Sequence, residues 1–391
     1  MSQRLINHNE DLRRLRNEGY DIRLLNGWLV VQDVPFIDAE RRLQRGWIAT
    51  QLSLAGGVTQ PPGDHTAHFG GGTPCDEVGR PLNNAIAGTG AALGDGWQAD
   101  HVLSRKPLQP DGDHHEKMTR YVRFLGRYVH RAGVEATART YPLIMPEDEE
   151  SVFNYLDTAT SRSGIDLMAE KLDKESIAIV GLGGTGSYIL DLVAKTRVRH
   201  IHLFDGDVFH QHNAFRGPGA PSIEELESKP LKVDYWASVY SRMRGGIVAH
   251  PTFLGASTLA DLQGMDFVFL ALDHPQAKGP IIEFLTAREV SFIDVGMGLY
   301  KSADSSIAGN VRVTTSTPAK RNHIARRVSL TQGPPDNLYT SDIQVADLNM
   351  LNGSLAVLKW KKLWGFYEDL EHEHHSLFTT RVNSVISEDQ A

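Results

Sequence analysis

The sequence of 391 residues contains a single cysteine, Cys75. No internal disulfide can form, a four-cysteine zinc site is excluded, and thiol chemistry is confined to one position. No apolar run approaches the roughly 20 residues that span a bilayer as a helix. The opening MSQRLINHNEDLRRLRNEGY lacks the apolar core and small-residue cleavage site of a secretory signal, which together with the lone cysteine predicts a cytoplasmic location. Positive charge is not in excess either. A formal net charge of −8 gives no sequence-wide attraction to nucleic acid, and no nucleic-acid partner is expected. No internal repeat is present.

What is there suits two soluble domains, each long enough to bury a core. In the first, residues 1–150, helical spacing covers Ile6 to Glu18 and stops at Gly19. Tyr20 to Val34 reads as a hairpin about Asn26-Gly27. Trp47 to Pro107 is rich in Gly, Pro, Asp and His and predicts short strands and loops. His115 to Val129 is an amphipathic helix. Asp64, His65, His68 and Cys75 carry metal-ligand side chains, but their spacing matches no standard zinc motif, so structural turns are expected. This is an α+β accessory domain, ended by the proline-rich, acidic stretch Pro142 to Glu150.

The second domain, residues 151–391, is organised around KLDKESIAIVGLGGTGSYILDLVAKTRVRHIHLFDGD. Ile177 to Val180 is a strand, Gly181, Gly183, Gly184 and Gly186 form a glycine turn, and a helix follows. A second strand, His200 to Phe204, ends at Asp205, about two dozen residues beyond the first glycine, where a ribose-binding acid is expected. The glycines let backbone approach phosphate, and the helix directs its N–H groups and positive end at it. The unit binds a nucleotide, whose identity these residues leave open. Further on, Glu224 to Met243 and Gly279 to Arg288 read as helices and Gly264 to Leu272 and Val290 to Val295 as strands, an alternation that predicts an α/β, Rossmann-like, mostly parallel sheet. Asn349 to Tyr367 reads as a core helix with a solvated lysine face, and the last dozen residues as a frayed tail.

Past the second strand come DGDVFHQHNAFRGPGA, SKPLKVDYW and FLALDHPQAKG. A glycine loop, an Asp-x-Asp strand end, an Asn-x-x-Arg, a lysine and a later strand-end Asp, in this order over roughly Thr160 to Lys362, resemble the ThiF/MoeB and ubiquitin-activating enzyme superfamily. The resemblance implies adenylation: the C-terminal carboxylate of a ubiquitin-like protein attacks the α-phosphate of ATP. It implies that Asp205 holds ribose with Asp207 nearby, that Asn213 and Arg216 contact the phosphates, that Lys232 offsets charge on departing pyrophosphate, and that Asp273 binds Mg²⁺. Lys229 competes with Lys232, because SKPLKV carries one residue more than the family spacing. A homodimer is implied, with Arg162 reaching across from before the first strand. An NAD-dependent oxidoreductase, permitted by the glycine loop and Asp205, and a non-catalytic nucleotide-binding scaffold are the alternatives.

Many relatives carry a cysteine on the crossover segment or a Cys-x-x-Cys zinc pair, and this chain has neither. Between Gly296 and Ser341 stands a Ser/Thr-rich run, so an oxyester on Ser305, Ser306 or Ser316 is an expectation beside direct transfer to a partner or to Cys75. The phrases DHTAHF, PCDEVG and HEKMTRYV resemble domains found before ThiF-type modules in bacterial ubiquitin-like conjugation operons. That implies a ubiquitin-like protein, a ubiquitin-conjugating-like transfer enzyme and a peptidase as partners.

Overall fold

The computed structural model describes residues 2–94, 96–146, 151–272, 274–330 and 343–390. It divides into two compact units, residues 1–149 and 150–391.

In the first unit, the helix expected over Ile6 to Glu18 is two helices, Ser2–His8 and Glu10–Asn17. The break is at Asn9, whose backbone is extended and whose Nδ2 donates to the carbonyls of Leu5 and Gly57. A side chain that serves two backbone carbonyls outcompetes continued helix here. The main sheet comprises β1 (Ile22–Leu25), β2 (Trp28–Ile37), β3 (Leu43–Gln51), β4 (Thr66–Gly70), β5 (Ile86–Thr89) and β6 (His101–Ser104). Its order is β1-β2-β3-β4-β6-β5, antiparallel throughout. Asn26 and Gly27 both have positive φ, 46° and 82°, the two-residue turn whose twist matches its strands. Helix His114–Arg131 is capped by Asp113, which accepts from the Glu116 N–H, and it buries Met118, Tyr121, Leu125 and Val129.

In the second unit the strands are β7 (Ser176–Val180), β8 (His200–Phe204), β9 (Ile247–His250), β10 (Phe267–Leu270), β11 (Ser291–Lys301), β12 (Ile307–Ser316), β13 (His375–Thr379) and β14 (Ser384–Glu388). They lie in the order β9-β8-β7-β10-β11-β12-β13-β14. The first four pairings are parallel and the last three antiparallel, which gives the α/β, mostly parallel Rossmann-like sheet. One face packs on helices Gly184–Val193, Lys232–Tyr240 and Ala346–Leu363 through Ile177, Ile179, Leu203, Val193, Trp236 and Trp360. The other packs on helix Pro275–Ala287 through Ala178, Val180, Val268, Leu270, Ile281 and Leu285.

Four expectations are corrected. The helix over Glu224 to Met243 is two, Ile223–Glu227 and Lys232–Tyr240, because Pro230 cannot donate within a helix and Lys229 turns the chain at φ 48°. Of the stretch expected as a crossover, residues 296–316 belong to a hairpin of β11 into β12, paired from Phe292↔Ser316 to Lys301↔Ile307, while residues 331–341 lie outside the described residues. The last residues form β14 on the sheet edge, with Leu377 opposite Ile386. Finally, the lysine face of helix Ala346–Leu363 is only partly solvated: Lys359 is buried and meets Asp369 at 2.9 Å and Glu373 at 3.4 Å.

Candidate functional site

The glycine loop leaves β7 at Gly181, where φ is +90° and a Cβ would stand 2.5 Å from the Ala271 carbonyl. Only glycine fits both conditions. At Gly186 a Cβ would lie 1.9 Å from the Gly181 carbonyl, so the first helical turn sits directly on the loop. Gly183 faces open space and begins helix Gly184–Val193 without any side-chain cap. The unsatisfied N–H groups of this first turn, with the positive end of the helix behind them, form an anion site.

Asp205 is buried. Its Oδ2 accepts from the Leu182 N–H at 2.7 Å and its Oδ1 from the Asp207 N–H at 2.9 Å, so this carboxylate fixes the glycine loop to the end of β8. Asp207 is the open one, its side chain 56% exposed. Lys232 is buried and its Nζ lies 2.7 Å from Asp207 and 3.6 Å from Asp205. The extra residue in SKPLKV is absorbed by the turn at Lys229 and Pro230, where the Phe209 N–H donates to the Pro230 carbonyl. Lys229 is left exposed while Lys232 enters the acid pair.

Asn213 is buried and accepts from the His210 N–H at 2.8 Å, closing a one-turn helix, Gln211–Ala214. That turn presents Arg216, half-buried, with a Nε that is shielded from solvent and has no hydrogen-bond acceptor. The guanidinium forms no ion pair among the described residues. It depresses the affinity of the neighbouring His212 for a proton, as does burial of that ring, which is the larger cause. A cation held without a counter-charge beside an uncapped helix is a receptor for a polyanion.

Asn349 joins these parts, and sequence reasoning did not find it. Its Oδ1 accepts from the Thr185 hydroxyl at 3.0 Å, its Nδ2 reaches the Arg216 carbonyl at 3.4 Å, and a Cβ on Gly184 would be 2.0 Å from that nitrogen. Asn352, one turn on, donates to the Gly296 carbonyl at 3.1 Å and keeps a buried Oδ1 without a partner. The signal was two asparagines three apart on the helix, both buried. Also missed was a buried ionic group in β11, where it pairs with the last residue of β10. Asp294 is fully buried between Lys278 Nζ and Arg312 Nη2, each at 2.7 Å. The lysine lies off the hydrogen-bonding direction of Oδ1, which has no hydrogen-bond partner, so that contact is ionic.

Asp273 lies outside the described residues. Arg162 is exposed in the short helix Thr158–Ser163. Ser305 and Ser306 stand at the tip of the β11–β12 hairpin, Ser305 at φ 62°. The strand passes the glycine loop at Val295 to Met297 and runs on ~13 Å to Lys301 at ~3.3 Å per residue, and the cavity at the loop shares no lining residue with the one at the hairpin tip. There Asp304 accepts from the Ser302 and Ser306 hydroxyls, which hold its carboxyl down to about 2, too weak a base to activate a serine. Ser316 is buried and accepts from Arg321 at 3.0 Å. Cys75, in the first unit, is buried, and burial, then Asp38, Asp76 and Glu40, push its thiol up. Asp64 meets Lys117 and His65 meets Ser104, and no cluster of three metal-ligating side chains exists among the described residues.

The ThiF family model matches residues 158–353, and a domain of unknown function, DUF6791, matches residues 10–158. No curated protein matches the sequence. Among solved structures, E. coli MccB with MccA-N7isoASN is 16% identical at a TM-score of 0.47, over 60% of this chain and 70% of that one. E. coli MccB with ATP is 15% identical at 0.44, over 60% and 70%. PaaA is 13% identical at 0.47, over 74% and 92%. No helix of the described residues is long and apolar enough to cross a membrane.

Proposed function

The chain belongs to the ThiF family of adenylating enzymes, and from that premise we propose that it uses ATP and Mg²⁺ to activate the C-terminal carboxylate of a ubiquitin-like protein. A carboxylate oxygen attacks the α-phosphorus, the bond from that phosphorus to the bridging oxygen breaks, and pyrophosphate leaves with the electron pair. The products are an acyl-adenylate and pyrophosphate. The N–H groups of the turn after Gly183 hold phosphate oxygens. Arg216 and Lys232 meet the charge that moves onto the leaving pyrophosphate, and the ribose role expected of Asp205 falls to the open Asp207, since both Asp205 oxygens already accept backbone N–H groups. Asp273 is the residue proposed to hold Mg²⁺, which when bound would neutralise charge on the triphosphate.

The observation that carries this reading is Arg216, a half-buried cation without a counter-ion among the described residues, beside the uncapped glycine-loop helix. The acyl group then passes to a nucleophile on a partner, since the carboxyl beside the hairpin serines is held down to about 2 and is too weak a base for them, and burial pushes the Cys75 thiol up. The test is ATP–pyrophosphate exchange by the full chain with candidate ubiquitin-like proteins. Exchange that depends on the carrier's C-terminus and falls about 10²- to 10³-fold in Arg216→Ala supports the reading. Exchange undiminished in that variant, or nicotinamide absorbance changes in place of exchange, refutes it. A homodimer completed by Arg162 is part of the same proposal, and a monomer at all concentrations with full exchange would exclude it.

A further inference from the structure

The first unit carries a cleft for which adenylation has no use. It is open, about 1190 Å³ in volume, and runs along the outer face of helix His114–Arg131. Arg14, Arg105, Arg120, Arg123, Arg127 and Arg139 line it against two carboxylates, Glu18 and Glu116, an excess of positive charge in a chain whose net charge is −8. Three of these cations are already matched: Arg14 to Asp113 at 3.7 Å, Arg120 to Asp111 at 2.5 Å and Arg139 to Glu18 at 2.8 Å. Arg105, Arg123 and Arg127 are exposed and pair with no carboxylate among the described residues.

These three are nonetheless held in place. Arg105 and Arg127 both lie over the Phe124 ring, at 4.6 Å and 5.4 Å from its centre, and Arg123 donates from Nε to the Thr119 carbonyl at 3.1 Å. Held over a ring or on a helix carbonyl while exposed, these guanidiniums can take carboxylates two-pronged at small entropic cost. The floor between them is open, since a Cβ on Gly126 would meet nothing within 4 Å. Leu108 stands fully exposed at the rim.

From this geometry we infer that the cleft docks an acidic, extended segment of a partner protein. Arg123 and Arg127 are one helical turn apart, ~6 Å along the axis, which matches the ~6.7 Å between alternate side chains of an extended strand. The segment therefore carries carboxylates at alternate positions, with a large apolar side chain for Leu108. Single-stranded nucleic acid is disfavoured, because it needs open aromatic faces for its bases. Here Phe124 and Tyr121 are buried and the guanidiniums of Arg105 and Arg120 already cover their rings.

The probe is a fluorescein-labelled peptide with Glu and Ser alternating about a central Leu, titrated with the full chain and followed by anisotropy. Saturable binding is expected, weakened at least about 10-fold in the exposed double variant Arg123→Glu/Arg127→Glu and lost in high salt. ATP–pyrophosphate exchange stays unchanged in that variant, so failure here is distinct from failure of the adenylation reading. No saturable binding, binding indifferent to the charge reversal, or tighter binding of a labelled oligo-dT would overturn the inference.

Discussion

Replacing Asp294 by Asn should cost far more than removing either of its partners. Asp294 is fully buried, Lys278 and Arg312 expose 7% and 19% of their side chains, and both cations stand 2.7 Å from the same carboxylate. The group thus holds two positive charges against one negative. Without the carboxylate the two cations face each other at roughly 5 Å, for which Coulomb's law at an effective permittivity of about 20 gives ~3 kcal/mol of repulsion. The loss of a buried partner in other proteins, ~3–5 kcal/mol, agrees in size. Lys278→Met leaves Asp294 paired with Arg312, which also donates to the Thr314 hydroxyl at 2.7 Å. That variant keeps one charge of each sign and should lose clearly less than Asp294→Asn. Urea denaturation of the full chain, with hydrogen exchange read on peptides between Ser176 and Lys301, isolates the second unit. Equal losses in the two variants would refute the excess-cation argument, because only a purely structural role for the group predicts equality.

Three further outcomes are expected. Gly186→Ala places a methyl group 1.9 Å from the Gly181 carbonyl, so the helix must withdraw from the loop; the KM for ATP should rise by about 10²-fold at ~3 kcal/mol of lost binding, and an unchanged KM would show that the loop adapts. Lys232→Ala should abolish most pyrophosphate exchange while Lys229→Ala leaves it intact, since only the first lies in the acid pair; the reverse ranking in an exchange assay would exclude the assignment. His202 and His375 are both pushed down to about 4, chiefly by burial. The unfolded chain, with ordinary histidines near 6.5, takes up these protons first, so the stability they contribute is complete above pH ~6.5 and lost as pH falls towards ~4. After solvent screening each is worth ~1–2 kcal/mol. Tm should fall over that window, and His202→Gln/His375→Gln should flatten the fall; a slope unaltered in the variant would place the acid sensitivity elsewhere.

The parts of the site visible in the sequence are those whose chemistry is local in the chain. Gly181 and Gly186 must be glycine because neighbours within a few residues, or the next strand end, leave no room for a Cβ, and their spacing announces the turn. Asp205, Asp207, Asn213 and Arg216 follow one strand in close order. What the sequence hid was assembled from distant segments. Asn349 lies 164 residues from the Thr185 it meets, and Lys278, Asp294 and Arg312 come from a helix and two strands, so no spacing rule links them. Pairing also overrode local reading: Ser384–Glu388 is short, without a buried residue and near the end, yet the edge of β13 offers five backbone partners, and hydrogen bonding to an existing edge orders a segment that has little core of its own. Pro230 shows the converse. It lay in plain view within an apolar period, and its missing N–H decided the outcome. The break it makes is what turns Lys232 inward at the start of its helix, so the irregularity in SKPLKV is the device that delivers the lysine to Asp207.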